Sequence, residues 1–187
     1  MSACDPRFIE LVKRLGAGES VHTRDVDHLL DTMPRSDRLD HLLLFQHSFP
    51  PNLLVLLLAE WWTTSEIPVL LGQTHVVNAF GRVGFVTDTE GVVAPTEPLT
   101  VYRGVSWEPT RKAPPSARGV SWTLDEDRAE WFARRWSILR HRGLVFVADA
   151  PPASVLGTFH GRNEAEVMVN PRQRRKVRLL LDLRSTN

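Results

Sequence analysis

Cysteine occurs once in this 187-residue chain, at Cys4. A lone thiol excludes an internal disulfide and a cysteine-based zinc site, and it fits a reducing compartment. Long apolar runs are missing too. The longest, residues 53–59, falls far short of the roughly 20 residues that a membrane-spanning helix needs. The first residues carry no basic segment followed by an apolar stretch, so no signal peptide is expected and the expected location is cytoplasmic, in the producing cell or in a host cell. Charge of one sign does not dominate. A formal net charge of +1 gives no electrostatic reason to expect nucleic acid, a membrane or a strongly acidic partner. The seven histidines fall at no metal-ligand spacing and no His-Glu-x-x-His is present, so no metal is expected. No Gly-x-Gly-x-x-Gly occurs, which argues against a Rossmann-type dehydrogenase.

Against these lacks stands ordinary globular material. Hydrophobic residues make up 42% and charged residues 24%, enough to bury a real core in one domain or one domain with an extension. The first half reads as helical. Asp5 and Pro6 form an N-cap and first helical position, with Phe8, Ile9, Leu11, Val12 and Leu15 on one face and Gly16 at the end. Thr23 is a cap for a second helix carrying Val26, Leu29 and Leu30. A third helix is expected over 36–49, with Leu39, Leu42, Leu43 and Phe45 inward. Pro50 and Pro51 break the chain, Asn52 caps an apolar helix through Trp62, and a fifth spans 67–80. After Gly81 the pattern changes to short runs rich in β-branched residues at 83–86, 99–103, 119–122, 144–148, 154–159, 166–169 and 177–181. One helix over 125–136 interrupts them, and the proline-rich stretch 109–115 reads as a loop. The expected class is α+β: a helical region over 1–95, then a strand-dominated domain over 96–187, with the boundary in 90–97.

Three short words in the second half bear on function. Tyr102, Arg103 and Gly104 end an alternating run, where a guanidinium can hold a pyrophosphate or ribose and glycine admits close approach. Ser121, Trp122 and Thr123 join a strand to a helix. Thr123 with Glu126 three positions on matches a capping box, Ser121 is free to orient a carboxylate, and Trp122 reads as packing. On that helix Ala129 and Ala133 are core positions, and Phe132 is placed to reach an aromatic ligand face as well as the core. Glu164 and Glu166 flank one alanine, so an extended backbone points both carboxylates to one side, which costs free energy unless something uses them. Each word alone also has an ordinary reading, as a surface arginine, a helix cap or a solvated edge.

Together, in this order, the words resemble the arginine–serine–glutamate branch of the mono-ADP-ribosyltransferases, of the bacterial or phage type. The resemblance covers roughly residues 98–182. It implies a split pair of small β-sheets with NAD, as cosubstrate, in the cleft between them. It further implies that Tyr102, Arg103, Gly104, Ser121, Trp122, Thr123 and Phe132 line the NAD site, with Arg103 on a phosphate or ribose. Ser121 would orient Glu166, which would stabilise the positive charge of an oxocarbenium-like transition state. Glu164 would position or deprotonate the acceptor. In the family a glutamate there accompanies transfer to arginine, so protein is favoured over nucleic acid as the macromolecular acceptor, and no membrane partner is expected.

Two rivals stay open. An NAD glycohydrolase would use the same site with water, and a binding module would keep the fold without turnover. The basic stretch of Arg172, Arg174, Arg175, Lys176 and Arg178 reads as a charged edge strand, or else as a phosphate-binding stripe for a nucleic-acid acceptor.

Overall fold

The computed structural model describes residues 5–19, 21, 26, 33–65, 71–107, 117–135, 142–161 and 164–183. The expected helix over 23–30, apart from the buried Val26, lies outside these residues, as do the start of the fifth helix at Ile67, the loop at 109–115 and Trp136. The chain divides into two compact units, Met1–Val86 and Thr87–Asn187. No helix among the described residues is long and apolar enough to cross a membrane.

Four helices of the first unit are described. Helix α1 (Pro6–Gly16) starts where proline pre-sets the helical φ and Asp5 accepts a hydrogen bond from the Arg7 amide at 2.8 Å. Helix α2 (Arg35–Leu44) passes into a short 3₁₀ turn at Gln46–Ser48, earlier than the expected end at Phe49. Helix α3 (Pro51–Thr64) has no side-chain cap. Asn52 therefore does not cap it; Pro51 already occupies the first turn, where its missing N–H costs nothing. Helix α4 (Gln73–Val83) runs past Gly81 to Gly84, whose φ of 82° ends it. Phe8 is fully buried, with ring contacts to His41, Phe45 and Phe49 at centroid distances of 5.7, 5.6 and 6.0 Å. Trp61 and Trp62 are buried as well, Trp62 edge-on to Phe80. Burying aromatic and leucine side chains of this size contributes roughly 1.5–3 kcal/mol each before chain entropy is set against it.

The second unit is built on strands β1 (Val86–Thr87), β2 (Leu99–Trp107), β3 (Ser121–Thr123), β4 (Arg142–Ala150), β5 (Val155–Phe159), β6 (Glu166–Val169) and β7 (Arg175–Leu183), with helix α5 (Glu126–Arg134) after β3. They form one seven-stranded sheet in the order β1-β5-β6-β3-β2-β4-β7, and the pairings from β5 through β7 are antiparallel. The expected pair of separate sheets is thus one sheet, joined at a narrow waist. β2 and β4 pair along their full length, from Leu99 with Ala150 to Trp107 with Arg142, whereas β2 and β3 share the single register pair Tyr102 with Thr123. Beyond that pair the two strands part, and the site lies there.

Helix α5 packs on β2 and β4 because glycine lets backbone meet backbone. A Cβ on Gly104 would lie 1.8 Å from the Ala129 carbonyl oxygen, and one on Gly143 would lie 2.7 Å from that of Ala133. Ala129, Ala133 and Val145 are buried at this contact, with Tyr102 packed against them. The extended residues after Thr87 belong with the strands: the Asp88 carboxylate accepts hydrogen bonds from the His160 and Gly161 amides, at 3.0 and 2.7 Å, and so ties residue 88 to the end of β5.

Candidate functional site

The waist is held by side chains where the ladder fails. Past Tyr102 and Thr123 the Ser121 carbonyl has no β2 amide opposite it, and the Arg103 guanidinium donates to that carbonyl through Nη1. Arg103 also lies against Gly119, where a Cβ would stand 2.0 Å from Cζ, so a side chain at 119 would push the guanidinium out of this position. Its Nε is buried with no hydrogen-bond partner. Burial and the nearby Arg174 charge bring the Arg103 pKa down to about 10, with Glu166 opposing the shift. The side chain therefore stays a cation at neutral pH, one donor committed to the fold and another unspent.

Register explains how Ser121 reaches Glu166. In the β3–β6 pair Thr123 stands opposite Glu166 and Ser121 opposite Met168, so Ser121 and Glu166 are diagonal neighbours on one face. The Ser121 hydroxyl donates to Glu166 Oε1 at 2.5 Å, the length of a charge-assisted O–H···O⁻ bond. Glu166 is 7% exposed. A carboxylate this buried costs several kcal/mol in desolvation, and the hydroxyl and the Arg103 charge both offset that cost.

Thr123 does different work from that expected of it. The N-cap of α5 is Asp125, whose side chain accepts from the Arg128 amide at 3.1 Å, so the capping box on Thr123 is not formed. The Thr123 hydroxyl donates instead to the Glu164 carbonyl at 2.7 Å and accepts from the Asp125 amide at 3.1 Å. It clamps the turn before β6 to the turn before α5. The backbone between the two glutamates is not extended either: Ala165 has φ 43°, in the left-handed region, and its carbonyl accepts from the Leu124 amide at 3.1 Å. Both glutamates still face one cavity, through this turn rather than by strand alternation.

That cavity is a cleft of about 240 Å³ lined by Tyr102, Arg103, Gly104, Ser121, Trp122, Thr123, Phe132, Glu164 and Glu166. All the candidate residues of the three words meet in it, with Phe132 from α5. Gly104 serves the helix contact as well as the cleft wall. Trp122 is buried, and its indole N–H donates to the Gly119 carbonyl at 2.9 Å. A second cavity, of about 360 Å³, is lined by Asp125, Asp127, Arg128, Trp131, His160 and Ala165 and lies against the same turn.

Two residues that shape the site carry no signal in any motif. Gly119 reads in sequence as an ordinary strand residue, yet it makes the space for Arg103. Arg174 reads as edge charge, yet its Nη1 donates to the Gly119 carbonyl at 3.2 Å and its guanidinium stacks on Trp122 at 5.2 Å. Both depend on packing between separate segments, 16 residues apart for Gly119 with Arg103 and 55 for Arg174 with Gly119, which spacing along the chain does not reveal. No group of three or more metal-ligating side chains occurs among the described residues. No protein-family model, curated protein or solved structure matches this chain.

Proposed function

We propose that this chain is a mono-ADP-ribosyltransferase that moves ADP-ribose from NAD to a macromolecular acceptor and releases nicotinamide. The observation that carries this reading is the meeting of Arg103, Ser121, Glu164 and Glu166 in one cleft, with Ser121 bonded to a buried Glu166 at 2.5 Å. At about 240 Å³ the cleft is smaller than the roughly 300–1,000 Å³ of whole-ligand pockets, so it is sized for one end of a dinucleotide. A cation, a buried carboxylate and the half-buried aromatic Phe132 suit the phosphate, ribose and nicotinamide of that end.

NAD supplies a ribosyl carbon whose bond to the positively charged nicotinamide nitrogen breaks readily, the electron pair leaving with nicotinamide. Arg103 holds the phosphate side. Glu166, fixed by Ser121, faces the ribose and stabilises positive charge that exists fully only in the transition state, so it raises turnover more than affinity. Glu164 receives the proton that the acceptor loses as its lone pair forms the new bond to the ribosyl carbon. The left-handed Ala165 sets the two carboxylates in their separate positions, and such strain is found where geometry matters more than local energy.

The test is nicotinamide release from NAD by wild type and by Glu166→Gln, with and without cell lysate. Removing one such electrostatic contact should slow release on the order of 100- to 1,000-fold. Release that grows with lysate, with labelled ADP-ribose on a macromolecule, is the expected result for wild type. Equal release without lysate would make the protein an NAD glycohydrolase. No release from folded protein would overturn the enzyme reading and leave a binding module.

A further inference from the structure

The net charge of +1 conceals a division. Met1–Val86 carries 7 lysine and arginine residues against 10 aspartate and glutamate, a formal −3. Thr87–Asn187 carries 16 against 12, a formal +4. The unit that holds the cleft is therefore the basic one.

Within it, cations collect at one corner of the cleft. The Arg103 guanidinium lies against Gly119, and Arg174 donates to the carbonyl of that same glycine at 3.2 Å while stacking on Trp122. Arg118, exposed, is the next residue along the chain. Burial and then Arg174 lower the pKa of Arg103, and burial and then Arg118 lower that of Arg174, so Arg103 feels Arg174 and Arg174 feels Arg118. Glu166 is the carboxylate that acts on Arg103 against this repulsion, and among the described residues no ion pair joins a carboxylate to any of the three. Like charges held this close call for an anion. The turn that carries Arg174 also carries exposed Arg172, and β7 opens with exposed Arg175. Lys176 is not part of this set, because it pairs with Asp149 at 2.9 Å.

We propose that Arg174, Arg118, Arg172 and Arg175 form a phosphate-binding track leading away from Arg103, and that the acceptor it positions at Glu164 is a nucleic acid. This rests on the transferase reading and names its acceptor class. A base or phosphate of the strand supplies the lone pair that bonds to the ribosyl carbon. The bond to nicotinamide breaks with its electron pair, and any proton the acceptor group carries passes to Glu164. A protein acceptor offers no regular row of monoanions for such a track, whereas a phosphodiester backbone does.

The experiment measures binding of a labelled, mixed-sequence single-stranded oligodeoxynucleotide across a salt series, without NAD, to wild type, to Arg172→Gln/Arg175→Gln, and to Arg174→Gln. The double variant alters exposed residues only, so it stays informative if Arg174→Gln disturbs packing on Trp122. Binding by the double variant should weaken roughly tenfold near 0.1 M salt, and its salt slope should fall by about 1 to 1.5, the release of two phosphate contacts on a single strand. Three results would overturn the track: no binding by wild type, unchanged binding and salt slope in the variants, or a loss that appears instead in the KM for NAD. Labelled lysate product that resists nuclease and yields to protease would overturn the nucleic-acid acceptor. Because binding is read without NAD, a failure of nicotinamide release would sink the transferase and leave the track standing.

Discussion

Both units bury polar side chains that bond backbone, but in the strand unit the buried Glu166 bonds another side chain instead. In the helical unit His41 shares a hydrogen bond at 2.7 Å with the Asp37 carbonyl one turn back, Gln46 donates to the Leu43 carbonyl at 2.9 Å, and the Asp40 carboxylate accepts from the Leu71 amide at 3.3 Å. Each serves a backbone group of the helical unit, and those served by Gln46 and Asp40 lie at a helix end and in a turn. In the strand unit the buried Glu166 takes a hydroxyl from Ser121, 45 residues away, at the wall of a cleft. Buried polarity spent on nearby backbone completes a scaffold. Buried polarity spent on another side chain beside a cavity suits the chemistry proposed for the cleft, because its desolvation is offset only in one geometry.

Three substitutions test that contrast, beginning with the largest effect. Gly119→Ala would place a Cβ within 2.0 Å of the Arg103 guanidinium and displace it. Because interactions at reacting or bound charge are worth on the order of 100-fold or more, nicotinamide release should fall by about that factor. A titration with NAD should show a raised KM, and a variant with wild-type kinetics would remove Arg103 from the site.

His41→Ala should do the opposite. It removes a buried ring packed on Phe8 and a backbone partner, and should cost on the order of 1–3 kcal/mol of stability. Activity per folded molecule should not change, as denaturant titration alongside the release assay would show. A fall in kcat at full folding would break the contrast between the units.

The smallest effect concerns Asp88. Burial raises its pKa, but hydrogen bonds from the His160 and Gly161 amides and from the Thr89 hydroxyl outweigh burial and leave it below the usual carboxylate value. A carboxyl whose folded pKa is depressed contributes stability at pH above its unfolded value, and loses that contribution as pH falls through the folded one. Wild type should therefore lose its advantage over Asp88→Asn below about pH 4, near the ordinary aspartate pKa. Thermal unfolding at a series of pH values checks this, and parallel pH profiles would show that the tie from residue 88 to β5 carries no charge-dependent stability.

Much of the architecture follows rules that act over a few residues. Pro6 behind Asp5 opens α1, the Pro50–Pro51 break precedes α3, and the β-branched runs after residue 98 each contain a strand. The run expected over 83–86 contributes only Val86, because α4 continues through Val83 and ends at Gly84. The candidate site residues were legible for the same reason: each word is a local pattern of strand end, hydroxyl and charge. The cap of α5 was misread because Thr123 and Asp125 both suit an N-cap, and the choice went to Asp125 once Thr123 was drawn to the Glu164 carbonyl across the β3–β6 pair. The turn at Ala165 was misread as extended because alanine gives no sign of a left-handed φ.

By itself the sequence determined the α+β class, the order of helices and strands, and which residues carry charge and hydroxyl in the second half. These depend on periodicity, proline, glycine and capping, all short-range. Only the tertiary structure decided that β2 and β3 part after one pair, that Gly119 makes room for Arg103, and that Arg174 closes on Trp122. It also drew the division between units at Val86, across which the formal charge changes from −3 to +4. Those outcomes depend on contacts between distant segments, whose free energies are set by packing and desolvation rather than by any pattern along the chain.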